Sequence, residues 1–157
     1  MSERLSTAGM LLNYAVEETA GTRPTAASAY TEVPEVKSVP SLNPQPNLID
    51  STTLKETEYT THVMGLKDLG SALDFTANLT NGLITAWSTC VSAYQTAKDA
   101  GKAMWFCVTH PDLDQAVYFT GQPAPLGLNG ASVGAMAETS LYIAVTNAPA
   151  MYAKPTV

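Results

Sequence analysis

The chain has 157 residues, 45% of them apolar and only 14% charged, with eight Lys and Arg against fourteen Asp and Glu for a formal net charge of −6. That length suits a single domain with a real core and is short for two joined by a linker. The acidic balance excludes a protein that grips nucleic-acid phosphates by counterion release, though not a surface along which nucleic acid slides. A weakly charged exterior rich in Ser, Thr, Asn and Gln loses little solvation when covered, which points to contact with other protein.

In chain order, Glu3 beside Arg4 and an apolar run broken by Asn13 and Tyr14 make a poor signal peptide. No apolar stretch approaches the ~20 residues of a membrane helix, so a soluble protein made in the cytoplasm, without membrane insertion, is expected. Residues 10–17 predict a first strand. Residues 18–47 carry Pro24, Pro34, Pro40, Pro44 and Pro46, which exclude a helix or a central strand. An extended arm or loop is expected there, lying against the chain's own core or a neighbouring copy. Residues 48–54 read as a polar strand through Asp50, Ser51, Thr52 and Thr53, and residues 55–67 show neither period and read as a long loop. From Leu69 the alternation is plain: Leu69, Ser71, Leu73, Phe75, Ala77 and Leu79 share a core face, with Gly70, Ala72, Asp74, Thr76, Asn78 and Thr80 on the other.

Residues 83–99 predict the one convincing helix, with Leu83, Ile84, Trp87, Cys90, Val91, Tyr94 and Ala97 on one stripe, Thr80 or Asn81 as cap and Gly101 as stop. Residues 102–109 are apolar on both faces, as a strand covered on both sides requires. Pro111 sits in a turn, residues 115–121 form a further strand, and the Pro/Gly-rich residues 122–130 lead to a long final strand carrying Val133, Ala135, Ala137, Thr139, Leu141, Ile143 and Val145 on one side. Residues 147–157 read as a tail. This order predicts a mainly β, α+β fold: an antiparallel β-sandwich or barrel with one flanking helix and no regular βαβ alternation, in a single domain of residues 1–157.

The chemistry-bearing residues are sparse. His110, Asp112 and Asp114 are the best metal candidate, but Asp- and Pro-rich turns occur after strands for backbone reasons alone. Cys90 and Cys107 fall on predicted core faces without metal or redox spacing, so buried reduced thiols are expected rather than a nucleophile. Gly127, Gly130 and Gly134 precede a strand with no Lys-Ser or Lys-Thr, which is not a phosphate loop, and Asn78-Leu79-Thr80 matches a glycosylation sequon at a strand end. No catalytic, metal or cofactor set is expected, and a structural subunit is favoured over an enzyme. The rival in kind is a small β-barrel ligand-binding or adhesion module with a pocket near Trp87 and Trp105, although aromatics at such spacing are usually core.

The run from His62-Val63-Met64-Gly65-Leu66-Lys67-Asp68 through Leu73-Asp74-Phe75-Thr76-Ala77-Asn78 to Thr80 resembles the major tail protein, or tail-tube protein, of long-tailed siphophages and related prophages. Ile49 to Leu54 is similar to the polar strand of that family, residues 83–100 to its helix, and residues 105–108 and 116–121 to the strands behind it. The likeness spans residues 45–146. It implies a sandwich or barrel that closes into hexameric rings, stacked as a hollow tube in the virion tail and assembled in the host bacterial cytoplasm. Implied partners are tape-measure protein and transiting double-stranded DNA in the lumen, with tail terminator and tail-tip proteins at the ends. Inner tubes of contractile tails and of type VI secretion share the fold. On this resemblance Ile49, Asp50, Thr52, Lys55, Glu56, Glu58, Tyr59, His62, Met64 and Leu66 are the expected assembly interface, centred on the loop of residues 55–66. Asp68, Asp74, Thr76 and Asn78 are the expected lumen-facing set, where acidic charge would repel the phosphate backbone.

Overall fold

Eight strands form one curled antiparallel sheet around a core to which all three phenylalanines of the chain contribute. The computed structural model describes residues 9–43, 46–55, 59, 62–67, 72–128, 130 and 133–156. In chain order the elements are β1 (Leu11–Val16), a single 3-10 turn (Ala27–Ala29), β2 (Thr31–Glu32), β3 (Val36–Ser38), β4 (Pro46–Asp50), β5 (His62–Lys67), β6 (Leu73–Asn78), α1 (Asn81–Asp99), β7 (Met104–Thr109), β8 (Gln115–Pro123), β9 (Glu138–Val145) and β10 (Ala150–Ala153). Two compact units result, one of Met1–Pro40 with Ala72–Val157 and the other of Ser41–Ser71.

In the larger unit the sheet order is β2-β1-β7-β8-β9-β6-β3, with β10 also on β8. β8 is the hinge of this arrangement. Residues 117–120 pair with β7, 115–118 with β10 and 121–123 with β9, so the partner on one side changes at Gly121. A Cβ there would lie 2.5 Å from Ile143 Cγ2 and 3.0 Å from the Ala144 carbonyl oxygen, so only glycine lets the sheet fold over at this corner. Inside the curl, Phe106 stacks on Phe119 at 5.4 Å and Phe75 on Phe119 at 6.4 Å, joining β6, β7 and β8.

The alternation predicted for β6 holds over the described residues: Leu73, Phe75 and Ala77 are buried while Asp74 is exposed. Predicted residues 69–71 lie outside the described residues. The helix begins two residues earlier than expected. Thr80 Oγ1 accepts the Leu83 N–H at 3.1 Å, and Leu83, Trp87, Cys90 and Ala97 are buried. Gly101, at φ +74°, ends it: its N–H donates to Lys98 O and the Lys102 N–H to Ala97 O, closing a Schellman motif. Cys90 Sγ lies 3.7 Å from Met104 Sδ, which places the helix over the Met104 and Phe106 face of β7. The other face of β7 carries Trp105 and Cys107, and Cys107, Ala116 and Tyr118 form a second buried cluster against Tyr30 and Trp105.

The Pro-rich arm lies on its own sheet. Its residues 31–38 supply both outermost strands, β2 pairing with β1 and β3 with β6. Between them the Val33 N–H donates to Leu12 O at 2.8 Å, and the Glu35 carbonyl accepts the Asn78 N–H at 3.0 Å. One short kinked strap thus joins the two ends of the sheet path and gives the curl its barrel character, with Pro34 at the kink and Glu35 at φ 64°.

Four expectations are corrected. The loop predicted over residues 55–66 contains most of β5, because pairing with β4 supplies order that Gly65 and the mixed polarity of this stretch conceal. The polar strand spans Pro46–Asp50 rather than residues 48–54. At the C-terminal side, β9 starts at Glu138, and Val133 and Ala135 stand exposed around Gly134 at φ +84°. The predicted tail is not a tail: β10 fills the edge of β8 that β9 leaves open, and Thr156 bridges Ala26.

Candidate assembly surfaces

The smaller unit is a two-stranded hairpin, in register Leu48↔Met64, Ile49↔Val63 and Asp50↔His62, with an irregularity between Pro46 and Leu48. Directly opposed residues share a face, so Leu48 and Met64 form an apolar pair, with Ile49 on the other face. All three are exposed, at 58%, 68% and 58%. Leu54 and Tyr59 in the connection are exposed as well. A two-stranded sheet is marginal alone in water, and among the described residues each strand of this one pairs with the other only. Large apolar side chains on both faces of such an element favour its being covered by another surface.

At the loop end of the hairpin Asp50 Oδ1 accepts the Thr52 N–H at 2.9 Å. Hydrogen bonds from Thr52 hold the Asp50 carboxyl below the usual range, with His62 across the ladder adding a smaller effect in the same direction. Of the expected interface residues, the structure therefore brings together Ile49, Asp50, Thr52, His62 and Met64 on or beside the paired strands, with Lys55 in the turn that follows and Leu66 in β5. Glu56 and Glu58 lie outside the described residues.

The expected lumen set is split. Asp68 lies outside the described residues. Asp74, Thr76 and Asn78 point away from the core, opposite Tyr142, Ser140 and Glu138 of β9. Asp74 is exposed, whereas Thr76 and Asn78 are half-buried next to the strap. Lys37 of the strap forms an ion pair with Glu138 on this side. Asn78 Oδ1 is buried and has no hydrogen-bond partner among the described residues.

The catalytic and metal candidates are arranged structurally. Burial pushes the Cys90 thiol up to about 12 and the Cys107 thiol to about 11, so both stay protonated at neutral pH. His110 Nδ1 accepts the Asp112 N–H at 3.1 Å, fixing the turn, and no group of three metal-type ligands occurs among the described residues. Trp87 Nε1 donates to Ala124 O and Trp105 Nε1 to Glu17 Oε2. The two indoles lie on opposite sides of β7. Clefts of about 260 Å³ beside Leu11 and about 200 Å³ beside Arg23 are bordered by neither tryptophan. Among the described residues no helix is long and apolar enough to cross a membrane.

Two features were not foreseen from sequence. Glu17, 4% exposed, accepts three N–H bonds, from Gly21 at 3.1 Å, Ala103 at 2.9 Å and Trp105 Nε1 at 2.8 Å. Arg23 lies 4.4 Å from the Tyr118 ring and 4.5 Å from the Tyr152 ring, clamping the arm to β8 and β10. Both depend on contacts between residues far apart in the chain. The Pro/Gly-rich composition of residues 122–130 was the only signal for a third feature, the exposed loop between β8 and β9.

No family model and no curated protein matches the sequence. Among solved structures, a chain of the anti-feeding prophage baseplate, from a six-fold symmetrised cryo-EM structure, shares the fold with TM-score 0.58 over 98% of each chain, at 8% identity.

Proposed function

We propose that this chain is a structural subunit of a phage-type tail or baseplate assembly, and that its copies close into hexameric rings stacked as a tail tube. The observation that carries this reading is the hairpin, a thin element with Leu48, Ile49 and Met64 exposed on two faces. Strand pairs of this kind become stable when a neighbouring subunit covers them. The whole-chain fold likeness to a subunit of a six-fold baseplate supports the same reading, as does the low charged fraction of 14%. In such a tube the lumen would admit tape-measure protein during assembly and double-stranded DNA on ejection, and exposed Asp74 is the described residue best suited to face it.

Light scattering on a sizing column over a rising concentration series, followed by negative-stain microscopy, tests the proposal. Six-fold rings or tubes are expected. A protein that stays monomeric at every concentration overturns it.

A further inference from the structure

The strap of residues 31–38 is held differently at its two ends. At the β2 end, Thr31 and Glu32 pair in register with Tyr14 and Asn13 of β1, and Val33, buried, donates its N–H to Leu12 O at 2.8 Å. Tyr30, just before the strap, extends that anchorage by packing on the cluster of Cys107, Ala116 and Tyr118. The β3 end is thinner. Val36 is half-buried while Lys37 and Ser38 are exposed, and the register shifts between the pairs Val36↔Ala77 and Ser38↔Thr76, an irregularity that interrupts the ladder. The ion pair of Lys37 with Glu138 is on the surface, where such pairs add little. Beyond β3 the chain leaves this compact unit at Pro40.

Two unfavourable groups meet where the halves of the strap join. Glu35, at φ 64°, is the one non-glycine residue in the left-handed region among the described residues, and its Cβ disfavours that conformation. Its carbonyl accepts the Asn78 N–H at 3.0 Å. Asn78 Oδ1 is in turn the one buried side-chain oxygen or nitrogen without a hydrogen-bond partner among the described residues, so the hydration it loses on folding is not replaced. Swinging β3 away about Pro34 and Glu35 relaxes the first group and admits water to the second, while few contacts are given up.

We propose that the β3 half of the strap is a latch, which lifts from β6 about Pro34 and Glu35 in the otherwise folded chain while the β2 half stays seated. Lifted, it leaves the outer edge of β6 as a row of unpaired backbone groups able to accept a strand from another chain. The latch belongs to the folded monomer and stands whether or not copies assemble.

Neighbouring amides at the end of β6 report on its two sides separately, because successive N–H groups of a strand point to opposite edges. The Asn78 N–H bonds to the strap, and the Leu79 N–H, next in the chain, bonds to Ala137 O at 2.9 Å on the other side. Hydrogen exchange of the full chain, kept dilute enough to be monomeric, followed by NMR and corrected for intrinsic rates, should show Asn78 exchanging at least about tenfold faster than Leu79 and Val33. Ser38→Cys with Thr76→Cys places thiols on directly opposed residues, and native Cys90 and Cys107 are buried. Oxidation of that variant should slow Asn78 to within about twofold of Leu79, and reductant should restore the difference. Lys37→Glu, which sets like charge against Glu138, needs no cross-link and should speed Asn78 at least about threefold with Leu79 and Val33 unchanged. Asn78 as protected as Leu79 and Val33 in the parent, or still fast in the oxidised variant, overturns the latch. So does Lys37→Glu if it leaves Asn78 unmoved or speeds all three amides together, since the latter means that the unit opens as a whole.

Discussion

Glu17 illustrates how one side chain can fix a layer. It follows β1 directly and its carboxylate binds the Ala103 N–H and the Trp105 indole, 86 and 88 residues away, as well as the Gly21 N–H that turns the arm back. Burial alone would raise its pKa, but the hydrogen bonds from Trp105, Ala103 and Gly21 outweigh that, and the group is held below its ordinary value of 4.5. A depressed folded value means the stabilisation is complete above the ordinary value and is lost as pH falls through the folded one. Glu17→Gln turns an amide NH₂ toward groups that are themselves donors. It should cost about 2 kcal/mol at neutral pH, read as a lower urea midpoint, and the gap from the parent should shrink as pH is taken progressively below the ordinary value of 4.5. A constant gap across that range would assign the cost to packing instead.

At the scale of elements, β10 and the arm hold each other. The Tyr118 hydroxyl donates to Ala153 O at 2.7 Å, Arg23 lies on Tyr152, and the Ala27 and Thr156 N–H groups bond across to Thr156 O and Thr25 O. Removing residues 147–157 should therefore unseat the arm, uncover fully buried Tyr118 and lower stability by about 3 kcal/mol or more. Urea denaturation of the truncated chain measures it, and an unchanged midpoint would make β10 dispensable. The same element shows where sequence reading stops. β6, α1 and β7 were legible because Leu73, Phe75 and Ala77, the Leu83–Trp87–Cys90 stripe, and the two-sided apolar run through Phe106 and Cys107 carry their periods locally. β10, β2 and β3 have four, two and three residues and no period of their own. They exist because β8, β1 and β6 present open edges. Ile49, Asp50, Thr52, His62 and Met64 lie on or beside one strand pair, whose second strand is hidden in the sequence behind Gly65, since pairing with β4 and not local pattern orders it.

For the molecule as a whole, the division into a strapped barrel and a separate hairpin predicts uneven stability. Amides of β4 and β5, with no large apolar core of their own, should exchange with solvent faster in the monomer than those of β7 and β8, and should gain at least about tenfold protection when rings form. Hydrogen-exchange mass spectrometry on both states checks this. Equal protection of the hairpin before and after assembly would show that it is not the covered surface. Replacing residues 46–67 by a short Gly-Ser linker should leave the larger unit folded, with its circular dichroism retained, and abolish rings in negative stain.

The strap of residues 31–38 has a consequence in time. It can seat only when β1 and β6 both exist, and the bond from Thr156 Oγ1 to Thr25 O that secures the arm before it spans 131 residues. Closing loops of that size is entropically slow to begin, and folds dominated by such distant pairings reach the native state in roughly milliseconds to seconds. Until the strap seats, the outer edges of β1 and β6 are open templates for any other chain. Its arrival is the step that separates a subunit ready to build with its own kind from one still able to aggregate with anything.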